Sequence, residues 1–121
     1  MRLCFKSLLV IGAALLPTAA LAVNWMYLTN QPGPFLVMSD PDRELFQKTA
    51  REALEQVPDG GSLSWKSPIN DTFGVVHALS TFSRDGMRCR KMRFETSANN
   101  VTGQSEHTLC KTADGSWAFA N

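Results

Sequence analysis

Asp85-Gly86 separates two long alternating runs, Phe73 to Phe82 and Met87 to Thr96. An Asp-Gly pair tolerates the positive φ of a tight hairpin turn, so the two runs are predicted to fold back on each other as antiparallel strands. Asp114-Gly115 repeats the signal between Gln104–Thr112 and Ser116–Ala120, and Ser97 to Gly103 reads as a polar turn. Ahead of these, Ser62 to Ser67 alternates and places Leu63 and Trp65 on one face. After Gly61 the chain therefore reads as an antiparallel meander of about five strands. In the second strand Phe73, Val75, His77, Leu79 and Thr81 share one parity, and Val76, Ala78 and Phe82 share the other. Both faces are partly apolar, which implies a central strand or a bend.

One helix precedes the strands. Ser39 or Asp40 can cap it, Pro41 suits its first turn, and Asp42 and Glu44 suit its positive dipole end. Leu45, Phe46, Thr49, Ala50, Ala53, Leu54 and Val57 recur at three- and four-residue spacing, with Arg43, Lys48, Arg51, Glu52 and Glu55 outside that stripe. Pro58-Asp59-Gly60-Gly61 ends it. Small alanines in the stripe favour close packing on a sheet. The expected class is α+β: one amphipathic helix on the meander.

Met1 to Ala22 has the features of an export signal. Arg2 and Lys6 precede a short apolar run, Pro17 breaks it, and Ala20-Leu21-Ala22 matches the small-residue cleavage pattern. The uninterrupted apolar stretch before Pro17 is well short of the ~20 residues that span a bilayer. The expected organisation is a signal peptide at 1–22, an arm at 23–39 and a domain at 40–121, with no integral membrane segment after cleavage. In the arm, Gln31-Pro32-Gly33-Pro34 excludes a helix or central strand there. Trp25, Met26, Tyr27 and Leu28 before it are too apolar for a free linker. Phe35 to Met38 is expected to form a short strand, and the arm is expected to pack on the domain.

Charge narrows the function classes. The chain carries 12 Lys and Arg against 11 Asp and Glu, and loss of the leader removes Arg2 and Lys6. A near-neutral domain lacks the basic footprint of a dedicated nucleic-acid binder. It also lacks a polybasic membrane-surface signature.

Export also changes how the cysteines read. Cys4 leaves with the leader, so Cys89 and Cys110 remain as a pair in an oxidising compartment. If the intervening turn is centred on Asn99-Asn100, the two are equidistant from it and face each other across neighbouring strands. Closing a loop of 21 positions is worth about 3 kcal/mol on the chain-entropy argument. On a regular strand Cys89 lies on the opposite face from Met92 and Phe94. Either the bridge sits on the far face, or a bulge near Arg90-Lys91 resets the register.

The order of residues resembles a known family. Asp40 and Arg43 open the helix and Ala53-Leu54-Glu55 close it. Gly60 or Gly61, Trp65, Pro68, Gly74-Val75-Val76, Thr81-Phe82, Gly86, Cys89-Arg90, Cys110-Lys111 and Asp114-Gly115-Ser116-Trp117 follow. From Asp40 to Trp117 this is similar to the C-terminal domain of the bacterial surface-antigen family of the rickettsial seventeen-kilodalton antigen type. The Cys-Arg and Cys-x-x-x-Asp-Gly-x-Trp pieces are its most specific parts. The resemblance implies an exported cell-envelope protein and no chemical activity. Family members often carry a lipobox cysteine and a glycine-rich hydrophobic hairpin before the domain. Val23 to Ser39 has neither, so a soluble periplasmic or secreted form is expected over an outer-membrane anchor.

No catalytic constellation accompanies these features. A nucleophile at Cys89 would have Arg88 and Arg90 to lower its pKa and His77 or His107 as base, but a disulfide removes the thiol. Zinc held by Cys89, Cys110, His77 and His107 is opposed by spacing, since His107 and Cys110 point to opposite faces of one strand. No phosphate loop, nucleophile elbow or His-Glu-x-x-His motif occurs. The expectation is a non-enzyme without cofactor or metal. Arg88, Arg90, Lys91 and Arg93 place four positive charges in six positions, with Arg88 and Arg90 on one face and Lys91 and Arg93 on the other. They either solvate and protect a strand or contact an anionic envelope polymer or protein. Trp65 and Trp117 are expected in the core. The leading expectation is a domain that binds another envelope component; the alternative is a periplasmic enzyme inhibitor or regulatory subunit.

Overall fold

The structure is a computed structural model and describes residues 33–120. The expected signal peptide at 1–22 and the expected arm as far as residue 32 lie outside the described residues. Helix α1 (Pro34–Val37) and helix α2 (Asp40–Gln56) precede strands β1 (Ser62–Lys66), β2 (Phe73–Arg84), β3 (Met87–Ala98), β4 (Val101–Lys111) and β5 (Trp117–Phe119). The strands form one sheet in sequential order, with every neighbouring pair antiparallel.

The turns explain that order. Asp85 and Gly86 have φ of 52° and 80°, the paired positive values of a two-residue hairpin turn. Asn99 and Asn100 do the same at 50° and 64°, so β3 and β4 run up to Ala98 and from Val101. Residues expected in a longer polar turn are therefore strand. Phe35 to Met38 corrects another expectation: most of it belongs to a one-turn helix, not a strand. Pro34 supplies the preset φ of a first helical turn, and Leu36 N–H donates to the Gly33 carbonyl at 3.2 Å.

Ser39 caps α2 by accepting the Asp42 amide at 3.3 Å. Phe46, Ala50, Ala53 and Leu54 are buried on the sheet-facing side of α2. They meet Trp65, Val76, Ala78, Met92, Phe94, Leu109 and Trp117. The two alanines bring backbone close to backbone. Phe46 is the pivot of an aromatic cluster, 4.7 Å from Phe35 and 5.2 Å edge-on from Phe94. Arg43 ties the helices together, reaching the Phe35 carbonyl at 3.3 Å and Asp40 at 3.0 Å.

The β3–β4 register is unbroken, from Cys89 opposite Cys110 to Ala98 opposite Val101. No bulge occurs at Arg90-Lys91. The irregularity lies instead on β2, between Ala78 and Ser80. The extra residue, Leu79, reverses parity beyond it, so Thr81 joins Val76 and Ala78 on the helix side and Phe82 faces Cys89. The bridge therefore occupies the face away from the helices, with S–S 2.04 Å and Cα–Cα 4.0 Å, closer than the expected cross-strand separation.

Candidate binding face

The four basic residues of β3 are divided by the register. Arg90 shares its face with Met92, Phe94, Thr96 and Ala98, and it is 1% exposed. Its Nη1 donates to the Ala53 carbonyl at 3.1 Å, which also accepts the Val57 amide, and to the Leu54 carbonyl at 2.9 Å, for which Pro58 has no amide to give. Nε donates to Thr81 Oγ1 and Nη2 to Asp59 Oδ1, each at 2.9 Å. Arg90 thus fastens the end of α2 and the following turn to the sheet. Donation by Thr81 and then by Arg90 holds the Asp59 carboxyl below its usual range.

Arg88 lies at the same end, its guanidinium 5.8 Å from the Trp117 ring centroid. Lys111 sits over that ring too and pairs with Glu55 at 2.9 Å, while Trp117 Nε1 donates to Glu55 at 2.8 Å. Lys111 and then Trp117 lower the Glu55 pKa.

Lys91 and Arg93 point to the open face, where carboxylates flank them. Arg93 lies 3.3 Å from Glu95 and 3.9 Å from Glu106; Lys91 is 3.6 Å from Glu106. His77 approaches Glu95 at 3.3 Å. Neither His77 Nε2 nor Arg93 Nε is aligned as a hydrogen bond at that distance, and the lysine and arginine contacts are ion pairs of a half-exposed ladder. The structure does not gather Arg88, Arg90, Lys91 and Arg93 into one basic patch.

Beside the ladder the open face carries a furrow of about 490 Å³. Its floor is the cross-strand row Gly74, Thr96 and Gly103. Val75, Glu95 and Gln104 form one wall, and Phe73, Ser97 and Thr102 form the other. Phe73 is 50% exposed, a large ring standing beside two small hydroxyl residues. Gly74 is required beneath: a Cβ there would lie 2.5 Å from the Glu95 carbonyl and 2.7 Å from Trp65 Nε1. The furrow was not apparent from sequence, because it depends on three strands in register.

Among the described residues, no group of three or more His, Cys, Asp and Glu side chains comes together to hold a metal. His107 faces the core and Cys110 the open face, while Trp65 and Trp117 are buried. Asp42 is buried too. Desolvation would raise its pKa, but hydrogen bonds from Ser67, Asn70 and Ser39 outweigh it and hold the carboxyl low. It joins α2 to the β1–β2 loop.

The chain is 29% identical over 85 residues to the 17 kDa surface antigen of Rickettsia bellii, covering 69% of this chain and 54% of that protein. The 17 kDa surface antigen of Rickettsia prowazekii is 31% identical over 86 residues, covering 68% and 52%. That of Rickettsia conorii is 28% identical over 85 residues. These relatives support the rickettsial 17 kDa surface-antigen family. The chain spans about half the length of the surface antigens it matches. No protein-family profile and no solved structure matches it. Of the residues that carried the resemblance to surface antigens, Cys89 and Cys110 form the bridge, Arg90 and Trp117 lock α2 to the sheet, and Gly86 completes a hairpin.

Proposed function

We propose that this chain is a non-catalytic exported envelope protein whose domain binds another envelope component through the open face of its sheet. The observation that carries this reading is the similarity to proteins named surface antigens. The disulfide supports it, since such bridges persist in oxidising compartments. The organisation we infer is a signal peptide cleaved after Ala22, an arm to residue 39 and the domain beyond. Among the described residues no helix is long and apolar enough to cross a membrane.

The furrow is the natural contact surface. α2 occupies the other face, and Arg90 is consumed inside the protein. Phe73 offers an apolar wall, and Glu95, Ser97, Thr102 and Gln104 offer hydrogen-bonding groups beside it, the mixture that small recognition sites use. Affinity capture from envelope fractions should compare the wild type with Ser97→Arg, which fills the furrow without touching the core. Retention of an envelope component by the first and its loss from the second is expected. Stoichiometric capture of one enzyme, with loss of that enzyme's activity, would contradict this reading in favour of an inhibitor.

A further inference from the structure

Strand β4 is paired along its whole length only on the β3 side. On its outer side β5 pairs with Leu109–Lys111, and the ladder ends where the Ala120 amide donates to the Thr108 carbonyl at 2.9 Å. Among the described residues no strand pairs with Thr102 to Glu106 on that side. Parity says which groups are left there. A strand residue aims its N–H and C=O to one side, and the side alternates along the chain. Thr108 bonds outward, as does Thr112, whose amide donates to the Ser116 carbonyl at 2.7 Å. The register against β3 is unbroken, so Thr102, Gln104 and Glu106 aim outward too, each with an N–H and a C=O that no strand among the described residues pairs. All three residues are exposed.

Nothing guards this edge. Sheet edges are commonly blunted by Lys, Pro or a bulge. Thr102-Gly103-Gln104-Ser105-Glu106 has none of these, and Lys91 and Arg93 already lie against the Glu106 carboxylate. A row of alternating donors and acceptors at strand spacing is complementary to an extended polypeptide backbone. A second copy of β4 does not fit: paired about Gln104, its Asn100 would face Thr108, the place that Ala120 fills. Thr102 and Gln104 also line the furrow, so a strand added here lies flush with it and extends both walls with its own alternate side chains.

We propose that the β4 edge from Thr102 to Glu106 takes up an extended peptide segment of an envelope protein as a sixth strand. The proposal rests on the open face being the binding surface and names the class of component bound there.

Amide exchange on the full chain tests the edge without a ligand. The Thr102, Gln104 and Glu106 amides should exchange at least about tenfold faster than those of Gly103 and Ser105, which face β3. Equal protection overturns the proposal, and protection that grows with protein concentration overturns it in favour of a second copy. The binding probe is a phage-displayed library of random short peptides, panned against the full chain. Selected peptides should protect the three amides. Their affinity should fall at least about tenfold in Gln104→Pro, which deletes an outward amide and no β3 bond, and change little in Gln104→Ala. An empty selection, or peptides that bind the proline variant as they bind wild type, overturns the proposal. If that variant does not fold, methylation of each peptide amide in turn decides, and the absence of any sensitive position overturns the proposal. The parent reading fails separately. An envelope component lost from Ser97→Arg but kept by Gln104→Pro preserves the open face and overturns the edge; no capture by wild type removes the open-face reading, and the peptides alone decide the edge.

Discussion

Replacing Arg90 with Met keeps the side chain's volume and removes its donors. In the native protein those donors satisfy the Ala53 and Leu54 carbonyls, Thr81 Oγ1 and Asp59 Oδ1. The Leu54 carbonyl is the costly one, because it is buried and Pro58 has no amide to replace the lost donor, and an abandoned buried acceptor costs about 1–3 kcal/mol, whereas the Ala53 carbonyl keeps the Val57 amide. Asp59 is 46% exposed and can return to water, so its loss adds little. Methionine recovers some of this by packing and the loss of the Thr81 and Asp59 contacts adds a little, which leaves a net loss of about 1–3 kcal/mol. For a domain of this size that lowers Tm by about 5–25 °C. Arg90→Lys should recover only part of it, since a single ammonium cannot span four acceptors set out for a planar fork. Urea denaturation followed by tryptophan fluorescence, with the disulfide intact in every variant, measures the difference. Asp59→Asn should cost far less than Arg90→Met. A Met variant within about 0.5 kcal/mol of wild type would refute the claim that Arg90 anchors α2, since that is the range of an uninvolved surface change.

Replacing both Cys89 and Cys110 with Ser should cost about 2–5 kcal/mol, and the unreduced native protein should show no reaction of either residue with a thiol reagent after denaturation. Stability should fall with pH in two stages. His107 has a folded pKa below its ordinary 6.5, so its contribution is complete above 6.5 and is lost as pH falls through the folded value. Asp42 and Glu55 are likewise depressed, so their contribution is present above the ordinary carboxylate range of about 4 and is lost below it. Urea midpoints from pH 7.5 to 3 check both stages, and His107→Gln should abolish the upper one. Ser39→Ala should cost about 1 kcal/mol by removing the cap on the Asp42 amide, measurable in the same denaturation assay.

Local chemistry made much of the fold legible. Asp85-Gly86 identified its hairpin because few other residues tolerate two successive positive φ values. Equal spacing about Asn99-Asn100 was enough to pair the cysteines, because that turn contains only two residues and the register beyond it never slips. Pro34 to Val37 misled because a four-residue apolar run fits a strand or one helical turn equally well, and only Pro34 at its start favours the helix. Leu79 could not be recognised as a bulge, since its parity agrees with the regular strand that it interrupts. Arg90 was hidden by its neighbours. Four basic residues in six positions look like a solvated strand, yet Arg90 continues the Phe94 and Met92 face straight into the core. The furrow has no sequence signal at all, because no single strand contains it.

The open face as a binding surface is tested most directly by site-specific photo-crosslinking in intact cells. A photoreactive residue at Gln104, on the furrow wall, should give one discrete adduct with an envelope component. The same residue at Glu52, exposed on α2 across the domain, should give none. Equal adducts from both positions, or an adduct from Glu52 alone, would contradict the assignment of binding to the open face of the sheet.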